Sequence, residues 1–244
     1  MTALPCARTL TRIAVLVSAL LLATAAHAYE TVISSCNPQL VIGHATLGRD
    51  LDCSAADVVN GSIVIGRGTL DLNGHTLVTP PGYGILCSGN CKIVGPGTIT
   101  GAGSAIGGSK SVKVIDVDIA VTGGIGVAAF DKLSLLRVTV NGPWYGTIGA
   151  ATKIVDSTIN ATVVGALSGS GSMAEGPCRK GGLLLRRSTV TGTTSAYCDG
   201  AEPPTNCADL VSCKRPKLLA STCGTSCQAG AGVPCPSWGV CSAD

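Results

Sequence analysis

A ten-residue segment, Val112–Val121 (VKVIDVDIAV), returns in outline at Leu133–Val140, Lys153–Ile159 and Leu183–Val190. Each copy sets one apolar residue five positions before a β-branched one: Val114/Ile119, Leu135/Val140, Ile154/Ile159 and Leu185/Val190. The pairs Val94/Ile99 and Leu72/Leu77 fit the same frame. The second members, Leu77, Ile99, Ile119, Val140, Ile159 and Val190, are separated by 22, 20, 21, 19 and 31 residues. A near-constant period of this length restricts the chain to a solenoid, because one such unit cannot bury a core alone and must stack on its copies. The repeated segments are short, β-branched and bounded by Gly, Asn and Pro, so they read as strands. Only 3% of residues are aromatic, which suits a thin core of stacked aliphatic side chains.

Parity supplies the geometry. In Leu133–Val140, alternation points Leu133 and Leu135 inward, then Val138 and Val140. A bend near Leu136 is needed to reconcile the two pairs. A third inward column is expected after each marker at Ile85, Ile106, Ile125, Ile148 and Val164 or Leu167. Three columns imply three faces around a triangular core, with parallel strands about 4.8 Å apart from turn to turn. The expected fold class is therefore all-β, a single-stranded parallel solenoid of about six turns.

The ends have a different composition. Residues 1–28 read as a secretory signal: Arg8 and Arg12 precede the apolar run Ile13–Leu22, and Ala26-His27-Ala28 forms an A-x-A cleavage site. This predicts a secreted or periplasmic protein without a membrane span. Cleavage leaves 15 basic and 14 acidic residues, a net charge of +1, which offers no footprint for nucleic acid. It also leaves 12 cysteines, an even number that in an exported chain reads as disulfides. Pairing of near neighbours predicts Cys36–Cys53, Cys87–Cys91, Cys207–Cys213, Cys223–Cys227 and Cys235–Cys241, with Cys178–Cys198 one turn apart. The expected organisation is a signal peptide at 1–28, an N-terminal cap at 29–60, the coil at 61–196 and a Cys-rich cap at 197–244, in a monomer. The long 31-residue step contains Ser168–Gly182, a Gly/Ser-rich insertion that reads as a surface loop.

Two outward columns contain the residues that could act chemically. Three positions before each marker stand Gly74, Pro96, Asp116, Arg137, Asp156 and Arg187. Asp116 and Asp118 could offer oxygens to calcium, and Arg137 and Asp156 complete a candidate catalytic set. The alternation of sign favours cross-strand ion pairing that holds register instead. One position before each marker stand Thr76, Thr98, Asp118, Thr139, Thr158 and Thr189, a threonine array of the kind an ice-binding surface would need, interrupted at Asp118. Trp144 and Tyr145, in the loop NGPWYG, are the candidate ligand contacts, since exposed rings stack on sugar faces. His75 is expected to be a core or corner histidine bonded to backbone, and Asn73 to bond backbone at its corner.

The string Asp71-Leu72-Asn73-Gly74-His75-Thr76, followed by Cys87–Cys91 and Val94-Gly95-Pro96-Gly97-Thr98-Ile99, resembles the small secreted bacterial members of the pectin-lyase-like superfamily of right-handed parallel β-helices. The resemblance covers Gly61 to Thr191. It implies a right-handed coil and polysaccharide binding, cleavage or epimerisation. The hydrolase motifs NTD, paired aspartate, GHG and RIK are missing, as are the lyase motifs around calcium and a basic catalyst. The expected function is thus non-enzymatic: an extracellular or surface-associated binding or structural protein touching a polysaccharide or cell-surface glycan. A polysaccharide lyase, hydrolase or epimerase is the alternative.

Overall fold

A computed structural model describes residues 31–36, 40–55, 61–169, 182–192, 210–212, 214–223, 226–228 and 237–239. The expected signal peptide, the loop 170–181 and Cys178, Cys198, Cys207, Cys213, Cys235 and Cys241 lie outside the described residues, as does the side chain of Cys227. Among the described residues every element is a strand, and all pairings but one near the C-terminus are parallel. The fold is an all-β parallel solenoid of about six turns, as the repeat predicts.

Each turn contributes three strand segments. In one turn the first face is Ser104–Gly108, the second Val112–Ile115 and the third Asp118–Val121. In the next turn a single bent strand, Ile125–Leu136, supplies both the first and the second face. The third faces form a separate eight-stranded sheet. Its inward column runs Leu51, Leu77, Ile99, Ile119, Val140, Ile159, Val190 and Cys223, each directly over the next. On the second face Val114, Leu135, Ile154 and Leu185 superpose and are completely buried. The coil also runs past its expected ends. Leu40–Leu47 pairs with Ile63–Asp71, and Lys217–Leu219 and Thr222–Cys223 lie in register on the turn before them. These parts of the 29–60 and 197–244 segments therefore continue the stack.

The bend expected near Leu136 is a single left-handed residue. Asp116, Arg137, Asp156, Arg187 and Ala220 all have φ between +47° and +58° at this corner. Such a conformation costs a non-glycine residue roughly 1–2 kcal/mol. It is held because each corner N–H donates to the following turn: Asp116 to Leu136, Arg137 to Val155, Asp156 to Arg186 and Arg187 to Leu219, at 2.8–3.0 Å. Just beyond the corner, Ser157, Ser188 and Ser221 point inward. The Ser157 hydroxyl donates to the Val155 carbonyl at 2.7 Å and accepts the Val138 N–H at 3.0 Å. Ser188 and Ser221 repeat the pattern with Arg186 and Ser157, and with Leu219 and Ser188. A buried hydroxyl is stable there because its hydrogen bonds are made.

The third inward column differs from expectation. Ile63, Ile85, Ile106, Val127, Thr147, Ala166 and Leu210 stack and are fully buried. Ile125, Ile148 and Leu167 are instead half-buried on the outside, and Val164 pairs with Tyr145 rather than continuing the column. The cause is a pair of consecutive inward residues on the first-face strands from Tyr83–Cys87 to Val164–Ser168. Gly84, Ala105, Gly126 and Gly146 also face the lumen. A Cβ on Gly126 would meet Val140 Cγ1 at 2.6 Å, and one on Gly146 would meet Ile159 Cγ2 at 2.3 Å. One extra inward position reverses the parity of everything before it.

Cys36 and Cys53 form the expected disulfide, with Cα atoms 5.4 Å apart. Cys223 is also disulfide-bonded. Cys87 and Cys91, expected to be bridged, are buried thiols in mutual contact. Each fills a position in an inward column: Cys87 between Ile65 and Gly108, and Cys91 between Gly68 and Val112. They pack there as small apolar side chains. Their contact, helped by burial, pushes the Cys87 thiol well up, and the same contact pushes Cys91 down against the opposing effect of burial.

Candidate binding face

The reversed parity on the first face turns a series of apolar residues outward. Tyr83, Ser104, Ile125 and Tyr145 occupy one outward row of positions. Val64, Leu86, Gly107, Ala128, Ile148 and Leu167 occupy the next. Gly107 leaves a gap in this second column, and the Tyr83 ring lies over it: a Cβ there would stand 2.7 Å from Tyr83 Cε1 and 3.2 Å from Leu86 Cδ2. The result is a groove of about 450 Å³ walled by Tyr83, Leu86, Ile125, Phe130 and Ile148. None of the residues lining it carries a carboxylate, an imidazole or an amine. Phe130, at its rim, is 82% exposed. An exposed ring of this kind has the apolar face on which a ligand can stack.

Trp144 and Tyr145 belong to the same face. Tyr145 opens the strand Tyr145–Val155 and stacks on the groove residue Ile125. Trp144, 57% exposed, precedes it at the corner. Neither Phe130 nor Tyr83 appeared among the sequence candidates. The signal that could have found them is the same spacing that misassigned Ile125: a strand containing Gly84 or Gly126 next to its inward residue cannot keep strict alternation.

The acidic candidates lie elsewhere. Asp116, Arg137 and Asp156 line the left-handed corner. Arg137 grips Asp116 with Nε to Oδ1 at 2.5 Å and a second nitrogen to Oδ2 at 2.7 Å. Arg187 holds Asp156 in the same fork, at 2.6 and 2.7 Å. These hydrogen bonds from Arg137 and Arg187 hold the two carboxyls below the usual carboxylate range and push the guanidinium groups up. Both oxygens of each acid are thereby engaged, so a cation or a substrate proton would have to displace a guanidinium first. Asp118 is not gathered with them. It is exposed on the third face, between Thr98 and Thr139.

His75 is half-buried, with Nδ1 3.3 Å from Asp50 Oδ1. Asp50 also accepts the Thr76 N–H at 2.8 Å, the main cause of its lowered pKa. The histidine expected at a core or corner position, bonded to backbone, stands next to the Asn73–Gly74 corner with its ring nitrogen on a carboxylate instead. Asn73 adopts the left-handed conformation and its amide reaches the Leu47 carbonyl at 3.5 Å, the corner role expected. Among the described residues no group of three or more His, Cys, Asp or Glu side chains is placed to hold a metal, and no helix is long and apolar enough to cross a membrane.

No protein-family profile matches the chain, and no curated protein or solved structure is significantly similar to it.

Proposed function

We propose that this protein is an exported, non-enzymatic β-helix of the pectin-lyase-like type that binds glycan at a cell surface or outside the cell through its first face. The observation that supports this is the groove floored by Gly107 and walled by Tyr83 and Phe130, with Tyr145 and Trp144 along the same face. Pyranose rings present C–H faces that stack on such rings. Polysaccharide hydrolysis needs a pair of free carboxylates, one as acid and one as base or nucleophile. The aspartates at the corner are instead engaged by arginines.

A glycan array with a chain spanning residues 29–244 tests the reading. Phe130→Ala and Trp144→Ala should each weaken binding of any glycan retained, with no reducing ends or unsaturated uronates formed. Product formation that disappears in Asp118→Ala would overturn it in favour of a lyase or hydrolase.

A second reading, ice binding, is favoured by one observation. Thr76, Thr98, Thr139, Thr158, Thr189 and Thr222 superpose on the third face, broken only at Asp118. The Thr189 and Thr222 hydroxyls bond each other at 3.0 Å. A thermal-hysteresis measurement decides it: a freezing-point gap abolished by Thr158→Tyr would support ice binding, and no gap would end it.

A further inference from the structure

The floor of the first-face groove differs in chemistry from the exposed rings around it. Leu86, Gly107, Ala128 and Ile148 superpose along it from turn to turn. The two serines in its lining are turned to backbone: the Ser88 hydroxyl donates to the Ile65 carbonyl at 3.4 Å, and the Ser109 hydroxyl to the Ser88 carbonyl at 2.8 Å. A ligand rich in hydroxyls, lowered onto this floor, would give up water and gain few partners. A run of methylenes gives up nothing there. The volume of about 450 Å³ falls within the range of small-ligand pockets.

Charge lies along one edge of the groove. Toward the second face, Lys110 directly follows the lining residue Ser109, and Lys132 stands two residues after Phe130. Arg67 is on the same edge: a Cβ on Gly89, the residue after Ser88, would stand 3.6 Å from Arg67 Cβ. All three cations are exposed, and none makes an ion pair with a described residue. Asp131, the acid on this edge among the described residues, accepts the Ser111 hydroxyl at 3.3 Å. The opposite edge, formed by residues 80–83, 102–104, 122–125 and 142–145, has no charged side chain. We propose that the groove holds the hydrocarbon tail of a single-chain anionic amphiphile of the fatty-acid class, with its head group on Lys110 and Lys132. The apolar floor selects the tail, and the one-sided charge selects the sign and place of the head. This ligand is distinct from the glycan proposed for the exposed rings and does not depend on it.

The experiment is a calorimetric titration of a chain spanning residues 29–244 with octanoate, decanoate and dodecanoate at neutral pH, each kept below its micelle concentration. Affinity should rise roughly fifteenfold for each step of two buried methylenes. Decyltrimethylammonium, with the tail of similar length and the opposite charge, should bind at least about fivefold more weakly than decanoate. Lys110→Gln/Lys132→Gln should cost decanoate about fivefold and leave decanol unchanged. Ala128→Phe, which fills the floor, should keep its melting temperature and lose decanoate and decanol alike. Trp144→Ala should bind decanoate as the parent does while weakening any retained glycan, so this proposal and the glycan reading fail separately. The inference is overturned if decanoate does not bind, if affinity ignores chain length, or if the double lysine variant and Ala128→Phe both bind as well as the parent. It is equally overturned if decyltrimethylammonium binds as tightly as decanoate, or if phosphatidylglycerol vesicles are retained and no dissolved amphiphile is, which would make the surface a membrane contact.

Discussion

The corner ladder and the lysine column lie on the same turns, a few residues apart, and treat charge in opposite ways. At the corner, successive turns supply Asp116, Arg137, Asp156 and Arg187, so stacking closes each acid in a guanidinium fork. On the second face, successive turns supply Lys92 and Lys113, alternate turns beyond them supply Lys153 and Lys217, and stacking leaves all four charges turned to solvent. The same register produces a self-satisfied seam in one place and a display in the other. In a solenoid, the sign carried by neighbouring copies of a position decides which results.

Both columns depend on the aliphatic stack beneath them, and the most severe way to break the comparison is to remove a member of that stack. Ile154 is fully buried between Leu135 and Leu185. Ile154→Ala should cost about 2–5 kcal/mol in denaturant unfolding, the usual penalty for a cavity of that size, and should loosen the corner pairing above it. An intermediate effect is expected at Thr147, which takes the place of Val127 in its column with its hydroxyl buried and unpartnered. Lacking a partner is tolerable for a lysine in water but costly for a hydroxyl in the lumen. Thr147→Val should therefore raise stability by about 1–2 kcal/mol.

Smaller effects sharpen the contrast itself. Arg137→Gln should lower the melting temperature by a few degrees at most, since exposed pairs contribute little. The pH dependence has a definite sign. Asp116 and Asp156 have folded pKa values below their unfolded ones. Their contribution is complete above the ordinary carboxylate range and fades as pH falls through the lowered values. Asp116→Asn/Asp156→Asn should thus narrow its stability gap from the parent as acid is added, measured by melting at a series of pH values. The smallest effect is expected for Lys113→Gln alone, whose melting temperature should match the parent within error or exceed it.

Much of this architecture was readable in the repeat. The markers superpose, Leu133, Leu135, Val138 and Val140 all face inward, and the bend beside Leu136 exists because Arg137 turns left-handed. The first face was misread because glycine has no side chain to reveal which way it points. Gly84 and Gly126 add an inward position, so Ile125 and Ile148 turn out while Val127 and Thr147 turn in. The turn in the tail was also missed, as its marker is Cys223 and lies 33 residues after Val190. The triplet Ser-Thr-apolar, at Ser157, Ser188 and Ser221, repeats the corner chemistry and would have located it. The lysine column was legible as well: Lys92, Lys113 and Lys153 each stand between two inward residues. The acids legible beside it, Asp116 and Asp156, are already engaged by Arg137 and Arg187.

The lumen-facing glycines have one more effect. Where Gly126 and Gly146 press against Val140 and Ile159, the tube is a single side chain deep. A methyl group added to the opposite wall has no slack to occupy and must push the glycine strand outward. The contour of the aromatic cleft is therefore set partly by residues on the far side of the protein, and selection on ligand fit could reach positions that no ligand touches.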